Sequence, residues 1–303
     1  MKKIFLLPLI ILFAACKPTP RSETSAPSGK LQVLATFLPI HAHAAAIAGD
    51  RAVVESLIAG NIGPHDFSPC PRDMQRIAQA DVLVLNGAGM EPWLDDLIQQ
   101  AAQKNLRKVD LSSGIELLTN QQALDGEPHH HASEPNPHLW LDPVIAIQQV
   151  ETLRDALIAA DPDGSAIYQQ NTANYIAKLL LLDADYQRIL GPLPFKKLIT
   201  FHDAFPYLAK RYGLETIGYL SQFPERDPSP AELAALINSI REKQVKVLFA
   251  EASYESALLR RIATDTGARF SMLDTLEVGA LGPEAYLTGM RKNLEALRVA
   301  FTP

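Results

Sequence analysis

Short runs rich in β-branched and aliphatic residues recur along this chain, each followed by a stretch of helical character. That alternation constrains the fold more than any other feature. In the first half the runs are LQVLATF (31–37), AVVESLI (52–58), DVLVLN (81–86) and RKVDL (107–111). In the second half they are FKKLIT (195–200), LETIGYL (214–220), VKVLFA (245–250) and ARFSML (268–273). Strands separated by helices return to a sheet through crossovers, so the expected sheets are parallel and covered by helices. The expected helices cover 39–49, begin near Arg72 and Glu91, and run from Pro143 to about Ala160. Others cover about 203–212, 230–242, 254–266 and 283–299. Residues 166–190 contain neither Gly nor Pro, and one helix of that length would span about 40 Å at ~1.5 Å per residue. It is either a rigid joint between two lobes or a long surface helix of one domain.

With 303 residues, the chain suits two lobes better than a single core. The resulting expectation is an α/β protein with lobes at 31–163 and 193–303 and a linking helix at 164–192. Its cleft faces the carboxyl ends of the strands, where open α/β sheets bind ligands. A formal net charge of −6 argues against nucleic acid as a partner. At the N-terminus, Lys2 and Lys3 precede an apolar run, Ile4 to Ala15, that is shorter than the ~20 residues of a spanning helix. This reads as a secretory signal, and Ala14 and Ala15 directly before Cys16 are similar to a bacterial lipobox, with Phe13 where such boxes usually carry Leu. Residues 1–15 are thus read as a lipoprotein-type signal peptide, Cys16 as the lipidation site, and 16–30 as a flexible tether. The alternative is an ordinary cleaved signal with an incidental cysteine. Acylation of Cys16 would leave Cys70 alone, so no structural disulfide is expected.

Against this framework, four residues occupy strand ends or loop-to-helix positions: His65 in GPHDF, His138 in PNPHLWLDP, His202 in ITFHDAF and Asp274 in FSMLDTL. Singly, each is explained as a helix cap or a buried, hydrogen-bonded group. Together, three imidazoles and one carboxylate suit a four-coordinate zinc ion, whereas manganese favours more oxygen donors. Their wide spacing would make such a site a product of tertiary structure.

The chain resembles the solute-binding proteins of zinc and manganese ABC transporters, the cluster A-I family (bacterial solute-binding protein family 9), in its zinc type. The blocks that carry the likeness are TFLPIHAHAAAIAGD (36–50), GPHDFSPCPRDMQRIAQADVLVLNGAGMEPWLDDL (63–97), NPHLWLDP (136–143), TFHDAFPYLAKRYGL (200–214) and DPSPAELAALINSIREKQVKVLFAE (227–251). The resemblance implies two lobes joined by a long rigid helix, with His65, His138, His202 and Asp274 as metal ligands in the cleft. After Asp274 the family usually has Pro; this chain has Thr275. Histidine at position 202 resembles the zinc-type members, manganese-type members tending to have Glu. The implied protein is an exported, periplasmic or cell-surface lipoprotein and a monomer. It would deliver Zn²⁺, with Mn²⁺ as the alternative, to a permease in the inner membrane. A metal-dependent adhesin on the same scaffold is a second reading.

Weaker features complete the reading. His129, His130 and His131 form an accessory metal site or a solvated loop. Glu251, after a strand, is a hydrogen-bond acceptor for a ligand histidine or an ordinary structural carboxylate. His41 and His43 are two residues apart and so on different helix faces, and Cys70 reads as an inert thiol. NGAGMEP (86–92) imitates a dinucleotide fingerprint but has Pro92 at the third glycine position. Neither G-x-S-x-G nor H-E-x-x-H occurs, and the chain is expected not to be an enzyme. The rival is an exported zinc hydrolase with Asp274 or Glu251 as general base.

Overall fold

A computed structural model describes residues 29–120, 134–194, 196–220, 229–251 and 257–302. The signal peptide, Cys16, nearly all of the tether and His129, His130 and His131 lie outside the described residues. Among those described, no helix is long and apolar enough to cross a membrane.

The first half contains β1 (Leu31–Ala35), α1 (Leu38–Ala48), β2 (Ala52–Ser56), α2 (Pro71–Gln79), β3 (Val82–Leu85), α3 (Leu94–Ala101) and β4 (Arg107–Asp110). Then come α4 (Pro143–Ala160) and α5 (Ser165–Leu190). The second half contains β5 (Lys197–Thr200), α6 (Pro206–Tyr212), β6 (Glu215–Tyr219), α7 (Pro230–Glu242), β7 (Val247–Ala250), α8 (Ala257–Thr266), β8 (Arg269–Met272) and α9 (Ala285–Phe301). The sheets have the orders β2-β1-β3-β4 and β6-β5-β7-β8, with every pairing parallel. The same topology therefore occurs twice, although no sequence repeat announces it. In each sheet the order reverses beside the first strand, and that switch point opens a crevice at the carboxyl ends.

Alternating strand residues explain why each sheet is covered on both faces. Leu34, Leu83 and Leu85 point outward beneath α2 and α3, as Ile199 and Leu248 do beneath α7 and α8. Val33, Ala35, Val82 and Val84 point inward, as do Leu198, Val247 and Phe249 of the second sheet. These inward faces meet α1, α4, α5 and α9 in one continuous core. The 26-residue α5 joins the lobes and buries Tyr168, Tyr175, Leu179, Leu182, Tyr186 and Leu190 along one stripe. Two helices start later than the sequence suggests, at Leu94 and at Pro206. Glu91 is turned inward, where its carboxylate binds backbone amides, and proline is favoured in the first turn of a helix.

Candidate metal site

His65, His138 and His202 converge in the cleft, and the fourth member of the group is Glu277. One donor atom from each lies within 4.8 Å of all the others. His65 comes from the loop after β2, His138 from the segment before α4, His202 from the end of β5, and Glu277 from the loop after β8. The Glu277 Oε1 atom is 3.2 Å from His138 Nε2, 3.6 Å from His65 Nε2 and 3.9 Å from His202 Nε2. His202 Nε2 and His138 Nε2 are themselves 3.2 Å apart. His65 is the most open, with 23% of its side chain accessible against 7% or less for the other three.

In His138 and His202 the nitrogen facing away from this centre is held by an oxygen atom. His138 Nδ1 lies 3.0 Å from Asn136 Oδ1, which also accepts from the His138 backbone amide at 3.1 Å. Asn136 Nδ2 donates across the cleft to the Asp203 carbonyl at 2.6 Å, so one amide side chain ties the back of His138 to the residue after His202. His202 Nδ1 is hydrogen-bonded to the buried Glu251 carboxylate at the end of β7. With Nδ1–H donated to oxygen, each of these rings turns Nε2 to the centre, the nitrogen whose lone pair a metal would take once it carries no proton.

The remaining parts of NPHLWLDP hold the site in place. Trp140, fully buried, donates from Nε1 to the Thr275 carbonyl in the Glu277 loop at 2.7 Å. Tyr286 Oη donates to the Trp140 carbonyl at 2.7 Å, and Asp142 caps α4 by accepting from Val144 N at 2.8 Å. His138 therefore stands in a segment whose other side chains bind both lobes. A cleft of about 530 Å³ opens over the imidazoles, walled by Pro64, Met90, Trp93, Pro137, Asp203 and Tyr219.

Charge is distributed unevenly over the cluster. Burial lowers the His138 imidazole to about 4, only partly offset by its bond to Glu277. Burial acts on His202 in the same sense but is outweighed by Glu251 and Glu277, which push it up to about 9. Burial alone would raise the Glu277 carboxyl, yet His65, His138 and His202 hold it well below the usual range.

Asp274 is not in the group, which corrects the ligand set expected from the sequence. Its Oδ1 accepts from the Leu276 amide at 2.8 Å, so the carboxylate is folded into its own turn. Glu277, three residues on, reaches the imidazoles instead. In the sequence this loop departs from the family pattern at Thr275, where Pro is usual. Asn136 lies within the His138 motif, but its role depends on which ring atom it meets, and one sequence alone does not show that. Neither His41 nor His43 joins the cluster; His43 lies between Tyr175 and Tyr286, with its Nδ1 3.1 Å from Tyr175 Oη. Cys70 N-caps α2, its amide donating to Asp73 Oδ2 at 2.9 Å. The glycine-rich loop after β3 is closed around the Glu91 carboxylate, which accepts from Thr36 Oγ1, Asn86 N and Gly87 N at 2.7, 2.9 and 3.1 Å. Those two amides are thus engaged and do not form an open phosphate cradle.

Two parallel α/β lobes bridged by a long helix, with a nitrogen-rich donor set where they face each other, define a two-lobed cleft protein with the makings of a metal site. The chain belongs to the family described as zinc-uptake complex component A periplasmic (ZnuA), whose model it matches over residues 33–300. The zinc-binding lipoprotein AdcA of Streptococcus pneumoniae is 34% identical over 98% of this chain, and this chain spans 61% of that protein's length. The high-affinity zinc uptake system protein ZnuA of Bacillus subtilis is 33% identical, with 95% of this chain and 93% of that protein covered. The Zn(II)-bound ZnuA-like domain of S. pneumoniae AdcA matches with a TM-score of 0.76 at 32% identity, over 90% of this chain and 99% of that domain.

Proposed function

We propose that this chain is the extracytoplasmic zinc receptor of an ABC importer, anchored through lipidated Cys16, which captures Zn²⁺ and hands it to the membrane permease. The observation that carries the reading is the convergence of His65 Nε2, His138 Nε2, His202 Nε2 and Glu277 Oε1. These atoms lie close enough to share a single cation, and three nitrogens with one oxygen are a zinc-like set. His202, rather than a carboxylate, at that position favours zinc over manganese.

Four protein donors complete a tetrahedral sphere and leave no position for a reactive water, which supports binding over hydrolysis. The carboxylates that a hydrolase would use are engaged elsewhere: Asp274 in its own turn and Glu251 on His202. Glu251 acts as the orienting partner of His202. Since the metal-free His202 imidazole is held charged by Glu251 and Glu277, zinc binding displaces a proton from it. Family membership and the names of its relatives support the importer role, the exported location and the lipid anchor.

The test is titration of the metal-stripped protein with Zn²⁺ against a chromophoric chelator, with Mn²⁺ as competitor. One tight zinc site that excess Mn²⁺ does not displace is expected. Effective competition by Mn²⁺ would overturn the choice of cargo, and absence of tight binding would overturn the site.

A further inference from the structure

Glu277 reaches the imidazoles only because the residue before it adopts an unfavourable conformation. Leu276 has φ +60°, the left-handed region that branched side chains seldom enter. Three contacts fix the turn around it. Asp274 Oδ1 accepts from Leu276 N at 2.8 Å. Asn293 of α9 clamps Asp274 from both sides, accepting from its amide at 2.8 Å and donating to its carbonyl at 2.6 Å. Trp140 Nε1 holds the Thr275 carbonyl at 2.7 Å.

The Leu276 side chain, buried, is received by a notch in α9. A Cβ placed on Gly289 would lie 2.0 Å from Leu276 Cδ2 and 3.0 Å from its Cγ. Glycine inside a helix is unfavourable relative to alanine, and Gly289 has ordinary helical backbone, so close approach is what it provides there. The turn and the notch act on the residue directly before Glu277, and the clamp holds Asp274, whose carboxylate folds that turn.

We propose that Asp274 and Gly289 are positioning residues for metal capture: Asp274 folds the turn at Leu276, Gly289 receives the Leu276 side chain, and Glu277 is thereby presented to the three imidazoles before an ion arrives. The proposal rests on the zinc-binding reading above. It gives Asp274 a role in the site without making it a ligand. It also makes a helix residue with no functional group a determinant of affinity, by preorganising a donor.

The experiment compares wild type with Glu277→Ala, Asp274→Ala, Asp274→Asn, Gly289→Ala and the double variant Gly289→Ala/Leu276→Ala. The readouts are zinc affinity by chelator competition, the Co²⁺ absorption spectrum, which reports donor number and geometry, and the melting temperature of the metal-free protein. Asp274→Ala and Gly289→Ala are each expected to lose about 10–100-fold in affinity, as losses of outer-shell support do, with an altered Co²⁺ spectrum. Asp274→Asn keeps an accepting oxygen and recovers the affinity that Asp274→Ala loses. Shortening Leu276 makes room for the new methyl, so the double variant binds more tightly than Gly289→Ala alone. Asp274→Asn falling as far as Glu277→Ala would make Asp274 a donor and overturn the proposal. So would a Gly289→Ala protein with a lowered melting temperature but unchanged affinity and spectrum, the result of simple packing. If the wild type binds zinc tightly, these failures leave the zinc reading intact; if it does not, that reading and the proposal both fall.

Discussion

The lobes meet in two adjoining places that are built on opposite principles. In the seam, α1, α4, α5 and α9 bury aliphatic and aromatic side chains, and the tyrosine and tryptophan polar atoms at its centre have protein partners. Tyr186 donates to the Met290 carbonyl, Tyr286 to the Trp140 carbonyl and Trp140 to the Thr275 carbonyl, all at 2.7 Å. These three polar atoms are satisfied without a ligand. In the cleft, two imidazole nitrogens lie 3.2 Å apart beside a buried carboxylate oxygen, placed to share one cation. His138 and Trp140 are two residues apart and belong one to each region. Stability and binding are therefore encoded side by side but through different physics, so substitutions should separate them.

The largest effect tests the seam. Trp140→Ala removes a fully buried indole packed edge-on against Phe37 at 5.1 Å, and metal-free stability in denaturant should fall by about 3–5 kcal/mol. Its bond to Thr275 is lost as well, so zinc binding should also weaken. An unchanged midpoint would break the idea that the seam holds the lobes together. Glu277→Ala tests the opposite side: zinc affinity should drop by more than ~100-fold, beyond the range typical of outer partners. Its metal-free stability should stay within ~1 kcal/mol of wild type, an ordinary single-substitution effect. A collapse of the metal-free fold would show that the cleft is structural too. Glu251→Gln sharpens the boundary, because it keeps an oxygen acceptor for His202 Nδ1 and loses only charge. About a tenfold loss in affinity, the low end of the range for such partners, is expected from the same titration.

The repeated α/β plan was legible because strand and helix periodicities are local properties. Sheet order was not, since the positions of β1 and β5 inside their sheets depend on long-range pairing. Three of the four grouped donors follow strands or open a turn, and their residue types stand out in any sequence. Asp274 is the carboxylate expected from the sequence, whereas the one grouped with the imidazoles is Glu277, three residues on in the same short loop. Which of them faces the cleft is decided by the left-handed turn at Leu276, by the clamp from Asn293 and by the notch at Gly289. Two of those contacts come from α9, a separate element, so no local pattern in the loop could have reported them. Glu251 was readable only as a candidate acceptor for a ligand histidine, because it follows a strand; that the histidine is His202 depends on β5 and β7 lying side by side, which is a matter of sheet order.

Glu91 supplies the smallest and most discriminating test, as a buried carboxylate beside the cleft that serves structure rather than metal. Burial raises its carboxyl to about 7, although Thr36, Asn86 and Gly87 all donate to it. A carboxyl whose folded-state value exceeds its unfolded one is protonated more readily in the native state. Its contribution to stability is fully present below the unfolded value near 4.5 and is lost as pH rises through about 7. Between pH 6 and pH 7 the loss should be on the order of 1 kcal/mol. Glu91→Gln cannot titrate, so the stability difference between wild-type and variant metal-free proteins should shift toward the variant across that interval. Zinc affinity, measured at fixed pH, should move far less than in Glu277→Ala, because Glu91 is not among the converging donors. A stability difference that stays constant with pH would mean that the three donated hydrogen bonds, not burial, govern this carboxylate.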